Sequence, residues 1–388
     1  MENVNVFMAC KLMPHYRIGV FHQLTKYKDG LKFYFFGDTK DQGGIKQINY
    51  EHSNKCHKKY IRWIKTKNLF YKPERLLWQT GVIKEIFKPK FKVFVFEGAI
   101  AHYPIWLYAL LCKMKGKKVL FWTHGDRGID KGIKKILRVV LFKWLSDGLL
   151  LYGNYQRNNM ITDGYNPKKL SVIYNSLDSE EQFKILKLQN SDKIRKKKKE
   201  IFLKPELFTL IFIGRLVKHK GVANIIEAVK ILSDNGNPIN CIFIGGGQEY
   251  DGLLESTSNK DLKEQIYFTG ELYKEDQIAK YFSMVDLMIS PGNVGLNCIH
   301  SLAYGIPVLT HDNFDYQNPE VEAIINGKTG IFYKYGFFED LIKTLENWIK
   351  SRRNSNIIKT NCQKRIRELY NPTIQANCIV NAVKKSLI

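Results

Sequence analysis

The sequence predicts an α/β protein made of two Rossmann-like, doubly wound domains in series. Near-continuous apolar runs alternate with segments of helical periodicity, which is typical of parallel strands covered by helices on both faces. This alternation breaks once, in a polar and strongly basic stretch, and then restarts. Ligands of such sheets bind at the carboxyl ends of the strands, so we expect the two domains to face a central cleft.

The first domain is predicted to span residues 1–180. Residues 38–72 have less regular patterning and are predicted as loops with a short strand or helix. The strand candidates are 4–9, 31–36, 91–96, 118–123, 148–152 and 170–174. The helix candidates are 17–28, 73–87, 102–115, 131–145 and 154–163.

Residues 181–205 are predicted to form the linker, because hydrophobicity falls there and the run "RKKKK" appears. That run is more typical of a solvated face than of a binding site. The second domain is predicted over 206–370, where the strand and helix pattern restarts with "FTLIFIG". The tail is predicted to be helical, with a break at Asn371 and Pro372.

Composition limits the possible functions of the chain. The formal net charge of +24 over 388 residues suits an anionic partner, such as nucleic acid, a membrane leaflet or a phosphorylated substrate. General richness in Lys, Ile and Asn explains the charge equally well. We find no recognisable nucleic-acid-binding module and therefore predict no nucleic-acid partner.

Targeting signals and cysteine usage indicate the compartment. We see no basic leader before an apolar core and no apolar run of about 20 residues that could span a bilayer. The seven cysteines are scattered without CxxC pairs, which predicts free thiols in a reducing compartment and no zinc site. We therefore expect a cytoplasmic protein.

The stretch "SPGNVGLNCIHSLAYGIPVLTHDN", residues 290–313, predicts a strand, a glycine-bearing loop, a helix and another strand. Its loop contains Gly292 and Gly295. A loop of this kind that opens a helix is suited to phosphate, because free N–H groups and the helix dipole both favour an anion.

Two further loops of the second domain are candidate ligand sites. In "FIGRLVKHKG" a strand ends at Gly214, and Arg215 and Lys220 follow at the strand edge, where two cations suit a diphosphate. An ordinary basic surface loop is equally compatible with this spacing. Around Gly270 and Leu272, backbone groups could read the edge of a base, although an ordinary turn fits as well.

The first domain offers His124, directly after the strand "VLFWT", as a donor to a sugar hydroxyl or phosphate, or as a structural histidine. His15, Tyr16 and Arg17 lie in the loop after the first strand and are predicted to border the cleft. Arg17 could meet an anion or pair with a surface acid. The chain has no GxSxG, HExxH or Walker motif, which lowers the odds of a hydrolase, a metalloprotease or a P-loop enzyme.

Five segments, taken together and in order, resemble a family-4 glycosyltransferase of the GT-B fold. They are "IFIGRLVKHKGVANIIEAV", "CIFIGGGQEYDGLLE", "IYFTGELYKEDQIAKYFSMVDLMISPG", "VGLNCIHSLAYGIPVLT" and "EAIINGKTGIFY". The resemblance implies transfer of a sugar from a UDP- or GDP-sugar with retention at the anomeric carbon. It also implies that the C-terminal helix, residues 371–388, packs back on the N-terminal domain.

The resemblance assigns roles residue by residue. Arg215 and Lys220 match the family's diphosphate-binding pair, and His124 matches the histidine near the donor sugar. Because the two cations would neutralise the leaving diphosphate, no metal and no other cofactor are expected. The remaining matches are the backbone amides of Val294, Gly295 and Leu296, which touch sugar or phosphate, and Glu322 in the segment after the donor loop.

The sequence departs from the family at its two glutamates, which fall on Gly292 and His300. In the family the first contacts the donor sugar and the second the nucleotide ribose. We expect Asn293 and His300 to provide hydrogen bonds instead, since histidine can donate or accept. The departure also leaves open a noncatalytic sugar-nucleotide-binding or scaffold subunit.

The predicted partners are a nucleotide-sugar donor, a glycan or lipid-linked acceptor in bacterial polysaccharide or lipopolysaccharide synthesis, and an anionic membrane surface. Residues 58–72, "KKYIRWIKTKNLFYK", are the candidate membrane-facing patch, although an ordinary basic segment fits slightly better. Peripheral attachment to the inner face of the plasma membrane is the expected location.

Overall fold

The structure is a computed structural model that describes residues 4–38, 63–65, 68–71, 76–99, 102–125, 132–351 and 355–388. It divides into two compact units. The first comprises Met1–Leu177 and Asn371–Ile388, and the second comprises Asp178–Tyr370. Within the described part of the chain, no helix combines the length and the apolar character needed to cross a membrane.

The first unit is built on a parallel sheet of seven strands in the order β3-β2-β1-β6-β7-β8-β9. A separate antiparallel pair, β4 and β5, lies outside this sheet. The strands are β1 (Val4–Leu12), β2 (Leu31–Asp38), β3 (Trp63–Lys65), β4 (Asn68–Tyr71), β5 (Leu76–Gln79), β6 (Phe91–Glu97), β7 (Lys118–Thr123), β8 (Gly148–Leu151) and β9 (Leu170–Val172).

Helices cover both faces of this sheet, so the strands are apolar on both sides. The α-helices of the unit are α1 (Ile18–Lys26), α2 (Val82–Ile86), α3 (Tyr103–Met114), α4 (Ile133–Leu145), α5 (Asn154–Thr162) and α14 (Pro372–Leu387). The prediction of a helix over 73–87 was wrong in its first half. Leu76–Gln79 pairs with β4 as a strand, and the helix begins only at Val82.

The last helix, α14, packs on α1 of the first unit, as the resemblance implied. A Cβ on Gly19 would lie 2.9 Å from Cγ of Pro372, so glycine allows the close approach. The buried Ser176 hydroxyl donates to Gln375 at 2.6 Å, and Gln375 donates to the Tyr174 carbonyl at 2.9 Å. These bonds fix the start of α14 against the end of the first stretch of the unit.

The second unit is built on a parallel sheet of six strands in the order β12-β11-β10-β13-β14-β15. Its strands are β10 (Thr209–Ile213), β11 (Asn240–Ile244), β12 (Ile266–Phe268), β13 (Leu287–Ser290), β14 (Val308–His311) and β15 (Gly330–Tyr333). Its α-helices are α6 (Ser179–Lys187), α7 (Ser191–Ile201), α8 (Val222–Asp234), α9 (Tyr250–Asn259), α10 (Glu275–Phe282), α11 (Leu296–Ala303), α12 (Phe338–Lys350) and α13 (Ser355–Leu369).

The stretch 181–205, predicted as a linker, contains most of α6 and all of α7 and belongs to the second unit. Two polar caps explain the helices. Asp178 accepts from the Glu181 amide, and Asn190 accepts from the amides of Asp192 and Lys193 at 3.0 Å. The basic run lies on α7, where four of its five side chains are exposed and Lys198 is half-buried, so most of the run is solvated.

Candidate functional site

The loop after β10 carries the predicted cation pair and packs backbone to backbone on the loop after β11. The Leu216 amide donates to the Gly246 carbonyl at 2.9 Å, and the Glu249 amide donates to the Leu216 carbonyl at 3.0 Å. A Cβ on Gly247, whose φ is +150°, would lie 2.4 Å from the Leu216 carbonyl oxygen. The glycine run "GGG", residues 245–247, is therefore what lets the two loops approach each other.

Lys220 is the better anchored of the two cations. Its Nζ donates to the Asn293 backbone carbonyl at 2.6 Å and to Asn293 Oδ1 at 2.7 Å, and both acceptors are uncharged. Burial, followed by repulsion from Arg215, lowers the pKa of Lys220 to about 8, while Glu320 acts in the opposite direction. An ammonium group with this pKa is held at a partly dehydrated position, and no carboxylate in the described part of the chain bonds to it.

Arg215 is exposed at the carboxyl edge of the same sheet. Among the residues that the structure describes, its guanidinium makes no hydrogen bond or ion pair. Its positive charge is close enough to Lys220 to lower the pKa of that lysine. Two adjacent cations without a directly bonded carboxylate favour the binding of a multivalent anion such as a diphosphate.

Gly292, which replaces the first family glutamate, has no room for a side chain. A Cβ there would lie 2.5 Å from the His219 carbonyl oxygen and 2.6 Å from Cα of Lys220. The Gly292 amide also donates to the Lys220 carbonyl at 2.9 Å. The backbone at Gly292 is thus in close contact with the turn that contains Lys220. The polar side chain here belongs to the neighbouring Asn293, which accepts a hydrogen bond from Lys220.

Two of the three loop amides that were predicted to bind ligand are already engaged, which corrects that prediction. The Val294 amide donates to Gln317 Oε1 at 2.8 Å, and the Gly295 amide donates to Asn297 Oδ1 at 2.8 Å. Leu296 begins α11, so its N–H belongs to the first turn, where amides lack partners within the helix. Gln317, which holds the loop, was missed because it lies 23 residues from Val294.

His300, at the second family glutamate, lies beside a carboxylate that the sequence reading missed. Its Nε2 is 2.7 Å from Oε1 of Glu275, the first residue of α10. The Tyr304 hydroxyl and the Gln182 amide donate to the same oxygen at 2.6 and 3.1 Å. Although burial opposes the charge, His300, Tyr304 and Gln182 hold the pKa of Glu275 at about 2. A carboxylate therefore stands next to position 300, supplied by a different helix.

The remaining predicted residues of the second unit are spread along its loops. Gly270 has φ +71° with open space around its missing side chain, and Leu272 is half-buried in the following turn. Glu322 lies in a short 3-10 turn and is also half-buried, and its carbonyl accepts from Arg365 at 2.7 Å. The carboxyl group that acts on Lys220 is that of Glu320, which is only 4% exposed.

In the first unit, Arg17 pairs with an acid rather than standing free. It donates to Glu97 at the end of β6 and to the Tyr152 hydroxyl at 2.9 Å, and its guanidinium lies 4.8 Å from the centroid of the Trp122 ring. Burial opposes its charge, but Tyr152 and Glu97 keep the pKa of Arg17 well above its usual value. Of the two interpretations of Arg17, ion pairing with an acid is the one that the contacts support.

His124 is exposed directly after β7, and its ring centroid lies 4.8 Å from that of Tyr152. Tyr152 therefore connects His124 with the Arg17 pair along the carboxyl edge of the sheet. His15 and Tyr16 share a 3-10 turn with Arg17, with ring centroids 5.9 Å apart, and His15 is exposed. The structure thus gathers all four first-unit candidates at one sheet edge.

Comparisons with known proteins show that this chain is similar to glycosyltransferases. Residues 193–365 match the family model described as Glycosyl transferases group 1. An uncharacterized glycosyltransferase of Methanocaldococcus jannaschii is 26% identical over 278 residues, which are 67% of this chain and 66% of that protein. The capsular polysaccharide biosynthesis glycosyltransferase CapM of Staphylococcus aureus is 24% identical over 179 residues, 43% of each chain.

A solved structure shows the same fold along nearly the whole chain. HepE of Anabaena in complex with UDP has a TM-score of 0.71 at 14% identity, covering 98% of this chain and 99% of its own. The likeness shows the fold, which is the α/β GT-B fold with two parallel sheets. The chain spans about two thirds of the length of the archaeal relative and less than half of CapM.

Proposed function

We propose that the chain is a glycosyltransferase of the EC 2.4 class, and that it transfers a sugar from a nucleotide-diphosphate sugar with retention, as family-4 enzymes do. Support comes from the match of residues 193–365 to the group 1 family model. The donor carries UDP or GDP. The acceptor is a glycan or a lipid-linked glycan of polysaccharide or lipopolysaccharide synthesis. The single observation that carries the proposal is the Arg215 and Lys220 pair. No carboxylate of the described ranges bonds to either cation, and two such cations suit a diphosphate.

In this proposal the cations act on the leaving group. As the bond from sugar to diphosphate breaks, negative charge grows on the diphosphate, and preorganised positive groups stabilise that charge more in the transition state than in the bound donor. Lys220 is already positioned by Asn293, so it loses little freedom on binding. The proposal therefore requires no metal ion and no other cofactor.

His124 is the proposed third catalytic residue, because it matches the family's histidine near the donor sugar. Its exposure after β7 leaves the imidazole accessible to a ligand. His15 and Tyr16 are proposed to meet the acceptor, while Arg17 positions Tyr152 rather than binding an anion. The proposed location is the cytoplasmic side of the plasma membrane, where a lipid-linked acceptor would be reached.

A thermal-shift panel tests the donor proposal. UDP, GDP, dTDP, ADP and CMP are added separately to the wild type and to Arg215→Ala. A nucleotide at about 100 times its Kd should add about 2.7 kcal/mol of stability to the wild type. UDP or GDP should raise the melting temperature of the wild type and have little effect on the variant. If no nucleotide raises it, the donor proposal fails.

The alternative is a noncatalytic subunit that binds a sugar nucleotide. The absence of a carboxylate at Gly292 is the observation that favours it, since no side chain fits there. A nucleotide that stabilises the protein, together with no sugar transfer to an acceptor pool and no slow donor hydrolysis, would support the alternative. Transfer that depends on Arg215 would exclude it.

A further inference from the structure

Two helices of the first unit, α3 and α4, turn apolar side chains outward. On α4 the exposed residues recur at the spacing of a single helix face, and two of them are more than four-fifths exposed. On α3 a shorter stripe follows the same rule. The exposed members on α4 are Ile133, Ile136, Leu137, Val140 and Trp144, and those on α3 are Leu107, Leu110 and Met114. We refer to these eight residues as the outer apolar face.

Both stripes lie on the same side of the unit. The inward residues of α3 and α4 bury themselves in one cluster against one face of the sheet. The Trp106 and Phe142 rings, one from each helix, are 5.2 Å apart between centroids, so the helices pack directly side by side. Because their inner sides share one core, their outer sides face the same way and form a continuous surface.

A surface of this kind is unusual for an unpartnered helix pair. Helices that cover a sheet normally carry charged or polar residues on the outer face, whereas α4 is apolar on both its inner and outer sides. Exposed apolar patches of this continuity mark contact with a partner or a membrane. Trp144, 82% exposed, is an amphipathic side chain of the type that prefers the boundary between lipid headgroups and acyl chains.

The charge around the outer apolar face is entirely basic within the two helices, which contain no Asp or Glu. Part of this charge is neutralised by neighbours, since Lys113 pairs with Asp147 at 2.8 Å and Lys135 with Asp163 at 2.7 Å. Lys115, beyond the end of α3, lies over the half-exposed Phe87 ring, with Nζ 5.2 Å from its centroid, and has no acid partner in the described part of the chain. Arg138 is buried, so the basic groups that border the apolar surface are Lys115 and the exposed Lys143, whose Nζ donates to the Asp163 carbonyl at 3.2 Å.

We propose that the outer apolar face docks on an anionic lipid bilayer, with its apolar side chains at the headgroup boundary and the bordering lysines at lipid phosphates. Apolar burial and electrostatic attraction together are the two terms that hold an interfacial amphipathic helix on such a surface. A second copy of the chain fits less well, because a two-fold contact would bring the same basic borders of both copies together.

This surface differs from the one that the sequence suggested. Within the candidate patch at 58–72, the structure describes residues 63–65 and 68–71. The rest of that patch lies outside the described residues. The outer apolar face is instead formed by α3 and α4. The inference does not depend on the proposed sugar transfer, since lipid binding is measured without any donor.

Vesicle flotation tests the proposal on the full chain. The wild type and Ile136→Ser/Trp144→Ser are mixed with vesicles of phosphatidylcholine alone or with added phosphatidylglycerol, at low and high salt. The matched control is Leu188→Ser/Leu203→Ser, two leucines of the second unit that are 82% and 66% exposed. The wild type and the control should float with anionic vesicles at low salt. The Ile136→Ser/Trp144→Ser variant should bind these vesicles at least about tenfold more weakly.

A second measurement keeps the test independent of any change in folding. Tryptophan emission of the wild type should be quenched by brominated lipid, and the quenching should fall in Trp144→Phe, which preserves an aromatic side chain. The proposal is overturned if the wild type ignores anionic vesicles or if the face variant floats as well as the wild type. It is also overturned if light scattering shows a wild-type dimer that the face variant dissociates without any lipid binding.

Discussion

Arg17 and Lys220 occupy comparable places in the two units, each in the loop after the first strand of its sheet in chain order, yet their partners differ. Arg17 bonds to the Glu97 carboxylate, to Tyr152 and to the Trp122 face. Lys220 bonds to the two uncharged oxygens of Asn293, and among the residues that the structure describes it has no further hydrogen-bond acceptor. A cation with a bonded carboxylate is neutralised and structural, whereas a cation held by neutral oxygens keeps its charge for an incoming anion.

The opposite pKa shifts of the two groups follow from these partners. Tyr152 and Glu97 overcome burial and raise the pKa of Arg17, whereas burial and Arg215 lower the pKa of Lys220 to about 8. The comparison teaches that basic residues at a sheet edge cannot be assigned to ligand binding by position alone. The atoms that accept their hydrogen bonds decide the assignment.

The largest expected effect is on the Arg17 side of the comparison. Arg17→Met leaves the Glu97 carboxylate without its cation, which should lower the free energy of unfolding by about 3–5 kcal/mol. The measurement is urea unfolding, with exposed Lys26→Met on α1 as the control. Stabilisation by the nucleotide found in the panel should persist in Arg17→Met. Its loss, with stability unchanged, would mean that Arg17 binds the anion after all.

The second prediction concerns the Lys220 side. Lys220→Met should reduce sugar transfer about 10²–10³-fold, since it removes one preorganised charge from the leaving diphosphate. Lys218→Met on the same turn is the matched control, because Lys218 is exposed and its charge faces solvent. Initial-rate assays with the stabilising donor measure the difference. Equal rates in the two variants would remove Lys220 from the mechanism.

A third change breaks the contact that positions Lys220. Gly292→Ala places a Cβ about 2.5 Å from the His219 carbonyl, so the lysine turn must shift, at a cost of about 1–3 kcal/mol in unfolding free energy. Gly252→Ala on α9, where a Cβ meets nothing within 4 Å, should instead add about 0.5–1 kcal/mol. Thermal melting separates the two. Restoring the family glutamate by Gly292→Glu should lower donor binding further rather than improve it.

The smallest effect concerns Glu275, the acid that neutralises no permanent cation but accepts three hydrogen bonds. Its pKa is about 2 in the folded protein against an ordinary value of 4.5. The unfolded chain therefore binds more protons between those pH values, and the stability contributed by Glu275 is complete above about pH 4.5 and lost as the pH falls toward 2.

Comparison of the wild type with Glu275→Gln isolates the stability that the ionised carboxylate contributes. The wild type should be more stable than the variant by about 1 kcal/mol near neutral pH, and the two unfolding curves should converge in acid. Urea unfolding at a series of pH values measures the difference. A difference that stays constant from neutral pH to acid would show that the carboxylate charge contributes nothing to the His300, Tyr304 and Gln182 cluster.

The sequence predicted what depends on local patterning. The parallel strands of both units follow from apolar runs, and the cation pair follows from a strand that ends at Gly214. Contacts between distant segments could not be predicted in this way. Glu275 and His300 are 25 residues apart, and the pressure of Gly292 on Lys220 spans 72 residues. The linker prediction for residues 181–205 was wrong because it rested on basic composition. It did not take into account the helix caps at Asp178 and Asn190.

The measurement that tests the central claim most directly is nucleotide binding as a function of pH, between about pH 7 and 9. Calorimetry is run on the wild type and on Lys220→Arg with the nucleoside diphosphate that stabilises the protein. The guanidinium introduced at position 220 stays charged over this whole pH range. The wild-type affinity should fall as the pH rises through about 8, where Lys220 loses its proton, and the variant should give a flat profile. Identical profiles in the two proteins would contradict the claim that the charge of Lys220 holds the diphosphate.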